Sequence, residues 1–201
     1  MDFREILLTQ HARAHTAQVG RADLSIQDNV LRDLTDEQIR LCPQQGFNSL
    51  AWLLWHMTRV EDFGANFILA GRPQVFDEDE WAEGLNVSHR YLGSGMTYLE
   101  VDEFNQQINI PALLAYRAAV GRQTQEIIRI LQPEVLGQEI DGELIQRARA
   151  AGAFGPHADW VPPRWQGKQK AFTLTHSVLG HSFLHWGQAD VVRGLLGVHS
   201  L

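Results

Sequence analysis

His181 and His185 stand four residues apart in an apolar stretch, residues 181–188, that reads H-S-F-L-H-W-G-Q. On a helix, positions i and i+4 lie above one another on one face, so two imidazoles at that spacing can meet one small object. A metal ion fits the description. Zinc and similar cations take imidazole nitrogens at about 2.0–2.1 Å, and catalytic sites often combine three protein ligands with one open position. His56, between Trp55 and Met57 in another apolar helical stretch, is the candidate third ligand. Taken alone, it reads more simply as a buried histidine with satisfied ring nitrogens. A second pair at the same spacing, His11 and His15, has Gln10, Arg13 and Thr16 as neighbours and reads as surface or edge histidines.

Other chemistries lack their residues. A zincin needs glutamate directly after the first histidine, and Ser182 is there. A di-iron bundle needs paired Glu-x-x-His motifs, and the sequence has none. No G-x-S-x-G elbow is present. Cys42 is the sole cysteine, which excludes an internal disulfide and reads as an incidental loop thiol. Gly93-Ser94-Gly95-Met96 has no strand before it and reads as a turn rather than a phosphate loop.

The formal charge is −7, most of it in the acidic stretch 71–109, which reads as a solvated face or loop. Lys168 and Lys170 are the only lysines, so a phosphate-neutralising face and a nucleic-acid partner are disfavoured. No run of about 18 apolar residues suggests a membrane span. The start, M-D-F-R-E, lacks the apolar core of a signal peptide, so a cytoplasmic location is expected.

The elements that must position these histidines are helices. Asp2 caps the first, with Glu5 at the capping-box position, and the apolar face continues to about Val19 before Gly20. Thr35 caps a short turn at 34–38, with Gln38 reaching back. Asn48 or Ser49 caps a helix running to about Ala70 and carrying His56. Residues 100–107 form a short helix. A third long helix spans 110–131, with Pro111 near its start, and the last spans 173–196. Alternating β-branched runs are absent. The expectation is an all-α four-helix bundle with long connecting loops, one domain over residues 1–201, and irregular excursions at 71–109 and 135–171. The second excursion reads as a lid or rim.

Two stretches carry a resemblance. Residues 48–66, N-S-L-A-W-L-L-W-H-M-T-R-V-E-D-F-G-A-N, and 181–197, H-S-F-L-H-W-G-Q-A-D-V-V-R-G-L-L-G, resemble the DinB/YfiT-like superfamily. Its members carry a histidine in a W-x-x-x-H-like second helix and an H-x-x-x-H-x-G-Q pattern in the fourth. The order and separation match over nearly the whole chain. The resemblance maps the family's metal ligands onto His56, His181 and His185, and assigns none to His11 or His15. It implies a divalent cation, zinc first with nickel or iron as alternatives, together with a low-molecular-weight thiol, a small-molecule substrate and a homodimer.

Characterised relatives include thiol-dependent S-transferases and a thiol-dependent isomerase, in which the metal is thought to hold the thiol as thiolate. The leading expectation is therefore a divalent-metal-dependent enzyme of thiol S-transferase type, the metal activating a thiol or water. A metal-dependent hydrolase, and a non-catalytic, stress-linked metal-binding or dimerisation protein, stay open beside it. Gln188, one turn after His185, is expected to orient a ligand. Arg59 and Arg164 are the cations that could meet an anionic group of a substrate or thiol. Arg59 otherwise pairs with Glu61 or Asp62. Trp52 and Trp186 read as core or rim.

Overall fold

The computed structural model describes residues 2–20, 24–78 and 80–198. Helix α1 (Phe3–Ala14) opens at Asp2, whose carboxylate accepts from the Arg4 N–H at 3.1 Å. It is shorter than the apolar pattern suggests. His15 takes extended backbone (φ −113°, ψ 172°), and its carbonyl accepts the Ser25 hydroxyl at 2.6 Å. Helix then resumes for one turn, Ala17–Gly20.

Helix α2 (Leu50–Asp62) starts at Ser49, whose hydroxyl accepts from the Trp52 N–H at 2.9 Å. All its residues are buried. A helix buried on every face runs through a core, so its polar members must find partners inside. It continues into a wider π-helical segment, Phe63–Leu69. Helix α3 (Ile110–Ile130) is capped by Asn109 with proline in its first turn, and buries Leu113, Tyr116, Val120, Thr124 and Ile127 at spacings of three and four. Helix α4 (His181–Leu195) follows without a break from a π-helical segment, Thr173–Gly180.

Helices α1 and α2 each pack against both α3 and α4, which closes the four into a bundle. The two π segments pack on each other. At Gly64 a Cβ would lie 2.8 Å from the Ser177 Cβ, so the approach requires hydrogen at that position. Among the described residues no helix is long and apolar enough to cross a membrane.

The connector before α2 holds Ile26–Leu31, which the sequence did not suggest, and Asp36–Arg40 with the expected Thr35–Gln38 capping box. Excursion 71–109 folds as short helices, Trp81–Leu85 and Tyr98–Gln107. Its entry is tied to α2, since the Asp62 carboxylate accepts the Val75 and Phe76 N–H groups at 2.9 and 3.0 Å. Excursion 135–171 is less irregular than its glycines and prolines suggest. It contains the helix Gly142–Ala150 and an antiparallel bridge between Glu139 and Gln169. The excursions meet where the Leu92 N–H donates to the Ala153 carbonyl at 3.0 Å. Gly95 (φ +77°) lies against the His157 carbonyl, where a Cβ would come to 2.7 Å. Ile140, Ile145, Ala148 and Trp165 bury against Phe63 and Leu92 in a core of their own. The segment is thus a packed layer on the bundle's flank.

Candidate metal centre

Helices α2 and α4 bring His56, His181 and His185 together. The Nε2 atom of His181 lies 3.1 Å from Nε2 of His56 and 3.1 Å from Nε2 of His185. His56 is 6% exposed, and the other two are partly exposed. Each flanking ring is held from behind. His56 Nδ1 lies 2.6 Å from the Leu92 carbonyl, and its ring stacks on Trp52 with centroids 4.7 Å apart. His185 Nδ1 lies 2.6 Å from Gln188 Oε1.

Those partners fix the tautomers. A carbonyl oxygen only accepts, so both Nδ1 atoms carry hydrogen and donate. The Nε2 atoms of His56 and His185 are therefore lone pairs, both aimed at Nε2 of His181. One imidazole nitrogen carries at most one proton and cannot satisfy two lone pairs. His181 Nδ1 is itself buried without a hydrogen-bond partner. With the His181 proton on Nδ1, three lone pairs converge, the donor set a divalent cation takes. The second carbonyl-oriented shell also matches metal-ligating histidines in general.

Electrostatics keep the trio neutral. Burial pushes His56 down to about 4, against its bond to Leu92, with His185 adding to the shift. Burial lowers His181 further, reinforced by His56, His185, His176 and Arg164. Burial also lowers His185. Neutral imidazoles are the ligating form, so the rings are ready for a cation at neutral pH.

A second histidine cluster obeys the opposite logic. His11 and His15 are fully buried, not at the surface as their neighbours implied. Their Nε2 atoms each meet a separate oxygen of buried Glu61 at 2.8 Å. A carboxylate accepts, so both imidazoles donate through Nε2, and their Nδ1 atoms are buried without a hydrogen-bond partner. Burial pushes His15 down to about 3, opposed by Glu61 and helped by Arg117 and His11. Burial pushes the Glu61 carboxyl up, but the facing imidazoles outweigh it and hold it well below the ordinary range. The ligand types could hold a metal, yet the arrangement reads as a polar clamp between α1 and α2.

The remaining candidates separate. Gln188 Oε1 faces His185 Nδ1. Arg164 is exposed in the Pro162–Arg164 turn, over the Trp160 ring, and close enough to depress His181 and His176. Arg59 does not join the histidines. It pairs with Asp62 rather than Glu61, at 3.3 Å, and donates to the Tyr116 hydroxyl and the Arg90 carbonyl at 2.9 and 2.8 Å. Trp186 is core, donating to the Ala14 carbonyl at 2.8 Å.

Sequence reasoning missed His176, whose ring lies 6.1 Å from that of His181 and stacks on Phe172. The two histidines are five positions apart, a spacing that diverges on an α-helix. Here the His181 N–H bonds the His176 carbonyl, a π-type i to i−5 turn that brings them to one side.

The sequence model of the DinB superfamily matches residues 24–189. A crystal structure of a conserved protein from Enterococcus faecalis is similar, with 18% identity, a TM-score of 0.66 and 98% of each chain covered. At that identity the likeness speaks for the fold. No curated protein matches the chain.

Proposed function

As the chain belongs to the DinB superfamily, we propose that His56, His181 and His185 hold one divalent cation in a metal-dependent enzyme of thiol S-transferase type. Zinc is the first choice, with nickel or iron as alternatives. One observation carries the reading: two rings locked as Nε2 lone pairs both face the third. A cation with three neutral ligands lowers the pKa of a thiol or water at its open position and polarises a carbonyl.

The chain's own residues supply orientation and access. Trp52 and the Leu92 carbonyl fix the His56 ring, and Gln188 fixes His185. Among the described residues the trio has no fourth histidine, cysteine or carboxylate within its cluster. His181 and His185 are partly exposed, which leaves the trio within reach of solvent. A filled coordination sphere would favour a structural clip instead. Arg164, whose charge reaches His181, would meet an anionic group on an incoming thiol. A hydrolase would use the same ligands, and thiol dependence of turnover separates the two.

The test is to load the metal-free protein with Co2+ and add thiols such as 3-mercaptopropionate, which is anionic, and 2-mercaptoethanol, which is uncharged. A sulfur-to-metal charge-transfer band is expected, together with thiol consumption by a generic electrophile. His181→Ala should lose both. Absence of any spectral change across the thiol panel would remove the thiol reading. Arg164→Gln should raise KM for the anionic thiol more than for the uncharged one.

A further inference from the structure

A cavity of about 440 Å3 opens between the α2 flank and the helix Gly142–Ala150, and none of the three clustered histidines lines it. Its size falls within the range of small-molecule pockets, roughly 300–1,000 Å3. Arg59, Arg72, Arg90 and Arg147 line it, and among the described lining residues the one carboxylate is that of Asp77. Arg90 already occupies Asp77. A basic wall of this kind is unexpected in a chain of charge −7, and the acidic bias of 71–109 hides it in the sequence.

The base and the rim both have unused hydrogen-bonding capacity. Arg59 is 1% exposed; its Nη atoms are engaged, but its Nε is buried without a partner. Gln74 is 8% exposed, and its Oε1 is likewise without one. Both atoms lie beneath the cavity wall, out of reach of a water molecule, so the groups open to an occupant are those at the rim. Arg72 and Arg147 are exposed, and neither guanidinium has a partner among the described residues. Phe67, Leu144 and Ala148 supply an apolar side.

We propose that this cavity binds a small organic anion, an oxyanion head on an apolar body. Arg72 and Arg147 grip the head, since the guanidinium fork matches carboxylate and phosphate geometry. The site needs no metal and stands apart from the histidine centre. A connection does exist in the fold: Arg59 lies one turn after His56, and the two bond the Arg90 and Leu92 carbonyls of one strap.

The full chain is titrated with phenyl phosphate and with benzoate at fixed ionic strength, by calorimetry and thermal melting. Saturable binding of at least one is expected, and which one binds assigns the head to phosphate or carboxylate. The double variant Arg72→Gln/Arg147→Gln should weaken that binding about tenfold or more. Its melting temperature without ligand and its metal uptake should not change, because both side chains are exposed and unpaired. His181→Ala should bind the anion normally. No saturable binding of either probe, undiminished binding in the double variant, or loss confined to His181→Ala would each overturn the proposal.

Discussion

At the scale of single residues, the centre depends on which nitrogen of each ring carries hydrogen. Leu92 and Gln188 decide this for His56 and His185, and through them for the whole trio. Gln188→Ala should leave the fold intact while weakening metal affinity about 10- to 100-fold, the usual cost of losing such an orienting partner. Competition with a chromophoric chelator measures it, and an unchanged affinity would separate Gln188 from the centre.

The clamp of His11, His15 and Glu61, with Arg117 of α3 nearby, predicts a pH dependence. The folded pKa of His15, about 3, lies below its ordinary value of 6.5. Below pH 6.5 the unfolded chain therefore takes up a proton that the fold refuses. Stability falls as pH drops from 6.5 toward 3, by at most about 1.4 kcal/mol per unit for this one group. Glu61, depressed in the fold, adds a loss as pH falls below its ordinary 4.5. Metal-free protein should therefore melt progressively lower from pH 7 to 4, less steeply in His15→Gln. Equal slopes in the two proteins would contradict this assignment.

At the scale of elements, the two π segments matter most. They close against each other at Gly64 and hand the chain to His181. Gly64→Ala forces its Cβ to 2.8 Å from the Ser177 Cβ. A destabilisation of about 1–3 kcal/mol is expected, read from chemical denaturation. A neutral effect would mean the helices separate freely. The π geometry also explains what the sequence hid. Long helices are legible because apolar residues recur at three and four and because Ser49 and Asn109 cap them. A wider turn has no such signature, so His176 was not placed beside His181.

Packing between distant segments is equally silent in the sequence. His11 and His15 have polar neighbours, and their burial is decided by Glu61, 50 and 46 residues away. The layer built from 71–109 and 135–171 draws Ile140 and Trp165 from stretches without periodicity, whereas Leu144, Ile145 and Ala148 follow helical spacing behind the Asp141 cap and were readable. In contrast, His56 and the H-x-x-x-H pair were legible, because each sits on a periodic helix and the family pattern joins them.

At the scale of the whole molecule, the expectation of a homodimer finds apolar surface to use. Ile6 of α1 and Ile130 of α3 are exposed, and α4 adds Leu184, Val191 and Leu195, spaced along one face. Sedimentation at micromolar concentration should give a dimer, and Leu184→Glu/Val191→Glu a monomer. A wild-type monomer would remove the expectation. Metal binding should also register globally, since its ligands join α2 to α4. A ligand at 100 times its Kd raises stability by about 2.7 kcal/mol, so chelation should lower the melting temperature of wild type but not of His181→Ala.

The most direct test is the metal stoichiometry of the purified chain after zinc loading and dialysis. Elemental analysis should give one equivalent for wild type and a loss of that equivalent in His56→Ala and His181→Ala, with His11→Gln unchanged. Wild-type protein without bound metal, or a full equivalent retained in His181→Ala, would contradict a centre built on these three histidines.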